Sequence, residues 1–429
     1  MQRGRDVLAR VIVLRHSWGM RTAALTLLSL LLPTLVHAET VSHWVQMGPG
    51  GSAELRVVTI DAACPDITVD GQKVALNTRA EPDANFARLC SLPLSHEMRQ
   101  VRLNGAEVPL PNGAPKRIAV LGDTGCRIKD GTVQDCNDPE KWPFLRVASA
   151  IAKLKPDLVI HVGDYLYRES KCPKGHKSDC SNSPYGDNWT TWDADFFTPA
   201  KSLLQTTPVV LVRGNHEDCQ RAGLGWLRLM GPDAFDPKAP CAGHLPPYAV
   251  PLGAMNLVVI DDASAPDQIV DTAERDVYRA EFQNLTKLAP APIWLAMHRP
   301  IAGAVSLFGF TVGGNRTLIS SLDDASVLAP VSLMLSGHIH TFEAINYEGG
   351  HPPQLLAGNG GDKLDSASAD LAGLNLGTWH VKDGLSLPGF GFLLMTQRET
   401  GWQIDVHGVD GVIERVCTFA AGRLDCPEK

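Results

Sequence analysis

The stretch KRIAVLGDTG, residues 116–125, decides the fold: the apolar run Ile118 to Leu121 leads straight into Gly122-Asp123-Thr124-Gly125. A short unbroken apolar run suits a strand covered on both faces, and the carboxylate behind it stands at the strand's carboxyl edge. Four more stretches repeat the pattern. Leu158 to Val162 leads into Gly163-Asp164-Tyr165-Leu166-Tyr167, and Val209 to Val212 is followed, after Arg213, by Gly214-Asn215-His216-Glu217. Ile293 to Met297 leads to His298-Arg299-Pro300, and Val331 to Leu335 leads, after Ser336, to Gly337-His338-Ile339-His340. Five such strands each deliver Asp, Asn, His or Tyr to the edge where ligand groups converge in α/β sheets.

Between these strands, Phe144, Val147, Ala148, Ile151 and Leu154 recur at helical spacing and stop at Pro156. The fold class is therefore α/β from Lys116 onward. Ahead of a change of character near Pro111 to Pro115, the chain reads differently. Leu55 to Ile60, Ile67 to Val69, Lys73 to Leu76 and Gln100 to Leu103 are short β-type runs parted by Gly, Asn, Asp and Pro. The expected division is a small β-rich module over 39–114 and a catalytic domain over 115–429.

Residues 1–38 read as an export signal. Arg3, Arg5, Arg10, Arg15 and Arg21 precede an apolar stretch from Ala23 to Val36, which closes with Val36-His37-Ala38. Met20 before Arg21 would make a more ordinary start. Cleavage would take five Arg and one Asp from the whole-chain charge of −8, so that 34 basic and 46 acidic residues remain, a charge of −12. With no long Lys/Arg run, that balance argues against a nucleic-acid-binding surface. No later stretch reaches the roughly 18 apolar residues of a membrane span, so no membrane anchor is expected, and the protein is placed in the periplasm or outside the cell. All ten cysteines survive cleavage, and near neighbours suggest five local disulfides: 64 with 90, 126 with 136, 172 with 180, 219 with 241, and 417 with 426.

Hard oxygen donors and imidazoles in a set too rich for one ion point to two metals sharing a carboxylate, a clamp suited to phosphoryl transfer. The ordered blocks GDxG, GDxxY, GNHE, a strand-borne His and GHxH resemble the calcineurin-like metallophosphoesterases, and specifically their purple acid phosphatase branch. Most of that superfamily carries DxH in the first block. Here Gly125 stands at that position, and Tyr167 is available as the compensating ligand.

The resemblance implies a four-layer αββα sandwich behind the β module, with Phe390 to Met395 and Trp402 to His407 completing the second sheet. It implies that Asp123, Asp164, Tyr167 and His340 hold one ion and that Asp164, Asn215, His298 and His338 hold the other. Two carboxylates and a phenolate suit iron(III); the second ion is left among divalent iron, zinc and manganese. The implied reaction is hydrolysis of phosphate monoesters by a metal-bound hydroxide, with His216 as outer-sphere acid and Glu217 orienting it by a hydrogen bond. A phosphodiesterase or nucleotide hydrolase is the alternative, then a metal-dependent binding protein or an iron-tyrosinate redox protein. Arg299 would bind phosphate oxygens or pair with a carboxylate. The aromatic insert from Glu169 to Phe197 would form the substrate-facing rim or pack as a loop. The expected partner is a small phosphate ester; the oligomeric state is left open.

Overall fold

Successive side chains of a strand point to opposite faces, and the strand Arg117–Leu121 divides accordingly between two cores. Ile118 and Val120 enter one, Ala119 and Leu121 the other, and none is more than 1 % exposed. The structure, a computed structural model, describes residues 40–429 except 130, 178, 308, 309, 369 and 429. The leader expected over 1–38 lies outside the described residues.

Arg117–Leu121 pairs in parallel with Leu158–His161, which pairs in parallel with Val209–Leu211, and these three strands lie within an 11-stranded sheet. An 8-stranded sheet has a parallel centre of its own: Asn256–Val259, Ile293–Ala296, Val331–Ser336 and Gln354–Ala357. The two sheets face each other across one core, in which Val120, Ile160 and Val210 join Leu257, Trp294, Leu333 and Leu355. Helix Phe144–Leu154 covers the outer face of the first sheet with Phe144, Val147 and Ile151. Helix Thr272–Gln283 covers the second with Tyr278 and Phe282. The architecture is the expected αββα sandwich. Helix Phe144–Leu154 ends as its sequence requires, on Lys155 at φ 50°, a left-handed cap just before Pro156.

Residues 40–115 are β-rich and continuous with the sheet that carries Arg117–Leu121. Thr40–Met47 pairs in parallel with Val209–Leu211, opposite Gln46, and Ala53–Thr59, Arg88–Leu94 and Asn77–Ala80 extend the sheet beyond it. A 4-stranded sheet of Gln72–Ala75, Asp66–Val69, Val101–Leu103 and Ala106–Glu107 sends Ile67 and Leu103 into the inter-sheet core. Buried Arg56 donates to the carbonyls of Leu229 (2.8 Å) and Gly231 (2.9 Å), and Arg79 also donates to Gly231 (2.9 Å). They satisfy the carbonyl of Leu229, which the end of helix Gly223–Leu229 leaves open, and that of Gly231 just beyond it, which ties this segment to the chain after the GNHE block.

The C-terminal strands correct one expectation. Trp379–Leu387 lies in the second sheet, but Gly391–Arg398 pairs antiparallel with Arg117–Leu121, and Gly401–Gly408 and Ile413–Ala420 follow it in the first. Leu393 and Met395 fill the inter-sheet core while Phe392 and Leu394 face the outer helices. The strands exist where the local pattern puts them; the partner strand is a long-range choice that pattern does not encode.

All five near-neighbour disulfides form. Cys126–Cys136, Cys172–Cys180 and Cys219–Cys241 each begin shortly after one of the first three ligand blocks, and the first two pack together.

Candidate metal centre

Three of the expected ligands hold backbone conformations that non-glycine residues seldom adopt: Asp123, Asp164 and His338 have φ of 56°, 59° and 70°. The loops fix these angles in one another. Asp123 N donates to Gly163 O (2.9 Å), Thr124 N to Asp164 O (3.0 Å), His338 N to Asp123 Oδ2 (2.9 Å) and His216 N to Asp164 Oδ1 (2.9 Å). Such strain persists where the surroundings over-determine it, as at ligand clamps. Close approach explains two glycines. A Cβ on Gly214 would stand 2.1 Å from Asp164 Oδ1, and one on Gly125 would stand 2.6 Å from Tyr165 O and 2.8 Å from Tyr167 N. A histidine at position 125 would clash with this backbone, so a fourth donor on that side is expected from elsewhere.

Tyr167 supplies it. Its hydroxyl lies 2.7 Å from Asp164 Oδ2, 3.0 Å from Asp123 Oδ1 and 3.0 Å from His340 Nε2, with all four residues buried. On the other side of Asp164, His298 Nε2 stands 3.2 Å from Asp164 Oδ2 and 3.1 Å from Asn215 Oδ1. Asp164, His298 and His338 each offer a ligand atom within 4.8 Å of the others. The second ring nitrogens are engaged as ligating histidines require: His298 Nδ1 lies 2.8 Å from Val162 O, and His340 Nδ1 lies 2.8 Å from Lys363 O. His338 turns Nε2 towards Asp267 (3.0 Å) and Arg299 (3.1 Å), so Nδ1 is the atom an ion would take. All seven expected ligands are brought together, with Asp164 in the middle.

Electrostatics give the same account. Burial alone would depress the imidazoles, but Asp164 overrides it at His298, which is held up at about 10, and Asp362 with Asp123 does so at His340, held at about 9. Burial, reinforced by Asp164 and Asp123, lifts the Tyr167 phenol well above its usual range. The carboxylates thus favour positive charge at His298 and His340, while burial and then Arg299 hold His338 below its ordinary value. A donor set of two carboxylates, a phenol, an amide and three imidazoles fits two cations. His161, inside its strand, is buried, pushed down to about 3 chiefly by desolvation, and 3.0 Å from Thr124 Oγ1.

Around the ligands, the structure rearranges several expected roles. Glu217 does not orient the His216 ring: its carboxylate accepts from the amides of Asp164 (3.1 Å), Tyr165 (2.9 Å), Leu166 (3.1 Å) and Gly214 (3.2 Å), which locks two ligand loops together. The acid beside His216 is Glu169, whose Oε1 lies 2.5 Å from Nδ1, a close contact lying off the ideal hydrogen-bond direction. That places His216 Nε2 towards the ligands, 3.9 Å from Asp164 Oδ2. Arg299 pairs with Asp267 and supports His338. The insert's Trp192, Phe196 and Phe197 are core residues of the first sheet's outer layer, which decides for packing over a rim. Within the same insert, buried Asp195 accepts from the amides of Cys126 and Tyr167 (both 2.8 Å), fixing the Tyr167 loop against the first block. Asn359-Gly360-Gly361 backs the pocket: Gly360 N donates to Gly122 O (3.0 Å) and Asp362 N to Asp123 O (2.8 Å).

The expected ligands open onto a cleft of about 400 Å³ whose other charged lining is two cations, Arg127 and Lys363, and one carboxylate, Asp365. Neither cation stood out in the sequence; only the position of Arg127, two residues after the first block, was available as a signal.

The calcineurin-like phosphoesterase family model matches residues 116–342, more than half of the chain. No curated protein matches in sequence. Among solved structures, the chain is similar to a purple acid phosphatase from yellow lupin (Lupinus luteus) seeds at 16 % identity and a TM-score of 0.56, over 90 % of this chain and 75 % of that one. It is similar to PhoD at 12 % identity and a TM-score of 0.53, over 90 % and 92 %. At these identities the likeness is one of fold. The chain belongs to the calcineurin-like phosphoesterase family, as a hydrolase of phosphoric esters with a dinuclear metal centre.

Proposed function

We propose that the protein is an exported phosphomonoesterase of the purple acid phosphatase type. Iron(III) would be held by Asp123, Asp164, Tyr167 and His340, and divalent iron, zinc or manganese by Asp164, Asn215, His298 and His338. The observation that carries this reading is the Tyr167 hydroxyl, within 3.0 Å of both carboxylates and of His340. A phenol that its surroundings push further from ionisation gives up its proton only to a strong Lewis acid. When bound, the two ions neutralise phosphoryl charge and activate water.

The chain's own residues do the rest. Asp164 holds the two sides together, and the amide of His216 on its Oδ1 fixes where the His216 ring stands. With Nδ1 turned to Glu169, Nε2 is the atom that hands a proton to the leaving oxygen. Lys363, and Arg127 in the part that its pairing with Asp362 leaves, set positive charge beside the ligands in a cleft that Asp365 also lines, and such charge suits the doubly charged group of a monoester better than the single charge of a diester. Export is supported by the leader over 1–38 and by five disulfides. Among the described residues no helix is long and apolar enough to cross a membrane.

Freshly purified protein should carry close to two metal ions per chain and absorb in the visible through a tyrosinate-to-iron(III) band that Tyr167→Phe abolishes. Turnover of p-nitrophenyl phosphate should exceed that of its bis-ester; the reverse order would give the site to a phosphodiesterase instead.

A further inference from the structure

We infer that Arg127 grips a non-bridging oxygen of the substrate's phosphoryl group and so sets the preference for a doubly charged ester. This deepens the phosphomonoesterase reading and rests on it.

Arg127 lies on the loop closed by Cys126–Cys136, and its backbone N donates to Gln134 Oε1 at 3.1 Å. Its Nε reaches the two oxygens of Asp362 at 3.2 and 2.9 Å, and Nη2 contacts the same carboxylate. Asp362 is fully buried and immobilised: its amide donates to Asp123 O, and its Oδ2 lies 3.3 Å from His340 Nδ1. A guanidinium pinned through Nε and Nη2 can turn only one corner outward, and Nη1 is that corner. The guanidinium carbon sits 4.9 Å over the Tyr167 ring, and the side chain, 23 % exposed, lines the cleft beside the ligands. A purely structural ion pair would need no opening to the cleft. Arg299 makes the contrast: its side chain is 12 % exposed and given over to Asp267 and His338. A planar, permanently charged donor fork held in one orientation is the group best matched to a phosphoryl oxygen.

The test uses the full metal-loaded protein with Arg127→Met and Arg127→Lys, and reads metal content, inhibition by inorganic phosphate, and kinetics on p-nitrophenyl phosphate and its bis-ester. With both ions retained, Arg127→Met should weaken phosphate inhibition by about tenfold and lower kcat/KM for the monoester by roughly 10- to 100-fold. The bis-ester should lose less than about threefold, and Arg127→Lys should recover part of the phosphate affinity. A wild type that favours the bis-ester overturns the monoesterase reading and with it the preference ascribed to Arg127, whereas phosphate inhibition reads the grip of Arg127 on a phosphoryl oxygen whatever the preferred ester. Unchanged phosphate inhibition in fully metallated Arg127→Met overturns the assignment to Arg127. Loss of metal from both variants does so too, because it would make Arg127 a support for His340 and nothing more.

Discussion

Glu169→Gln would keep the shape of the side chain beside His216 and remove only its charge. The contact is short, 2.5 Å to Nδ1, and both side chains are largely buried, so water screens it little. The same carboxylate is also shared with Lys129 at 3.4 Å and Arg221 at 3.9 Å. Part of its charge is therefore already compensated. That places the loss at the lower end of the 10- to 100-fold typical of groups that orient a catalytic histidine: about tenfold in kcat, or ~1.4 kcal/mol. The loss should depend on the leaving group. An alkyl phosphate, whose alkoxide must be protonated as it departs, should show the full effect, while p-nitrophenolate leaves without a proton and should show little of it. His216→Ala should display the same dependence more strongly, and adding Glu169→Gln to it should cost almost nothing further, since the two act as a unit. The assay is steady-state kinetics on paired alkyl and p-nitrophenyl esters, with metal content measured on each variant. Equal losses on both esters, or additive losses in the double variant, would refute the chain from Glu169 through His216 to the leaving oxygen.

Three further outcomes are expected. Gly125→His should not restore metal to a Tyr167→Phe protein and should destabilise it by about 3 kcal/mol or more in denaturant unfolding, because its Cβ meets Tyr165 O, Tyr167 N and Asp195 Oδ2 within 2.9 Å; a stable, remetallated double variant would show that the loop can yield. Cys219→Ser with Cys241→Ser opens a loop of sequence separation 22 and should cost about 3 kcal/mol while speeding release of metal to a chelator, since Asn215 and His216 lie just ahead of it; unchanged release would leave the loop to its hydrogen bonds alone. Buried His43 is pushed down to about 4 by desolvation and then by Lys201, below its ordinary 6.5, so the unfolded chain takes the proton first and stability is lost as pH falls from about 6.5 to 4. His43→Gln should remove at most about 3 kcal/mol of that acid-side loss, seen by comparing urea unfolding at neutral pH and near pH 4.5; an identical acid-side loss would place it in other groups.

The ligand blocks are legible because five apolar strands each end in one, Asp164 and Tyr167 sharing a block and His338 and His340 another; the family resemblance carried by those ordered blocks is what implies Asp123, Asp164, Tyr167, Asn215, His298, His338 and His340. The groups that tune them are not legible. Glu169, Asp195 and Arg127 act across the fold, on His216, on the Tyr167 loop and towards Asp362, and nothing in their local spacing marks those partners. Glu217 was misassigned for the opposite reason: adjacency to His216 in the chain suggested a contact, whereas the turn aims its carboxylate at the amides behind Asp164. Likewise the aromatic insert is amphipathic enough to suit a rim, but helix formation through Trp189–Trp192 and onward buries Trp192, Phe196 and Phe197.

The pairing of Gln46 with Val209 spans 163 positions (209 − 46), and it has a kinetic meaning. Thr40–Met47 is synthesised long before its parallel neighbour, the strand that presents Asn215 and His216. Until then one edge of that first strand stays open, and its amides are satisfied only on the side of Ala53–Thr59. Closing such a distant pair is slow compared with the local hairpins on either side. The centre is therefore assembled late in folding, and the unpaired edge is the point at which a chaperone or a second nascent molecule would compete with the native partner.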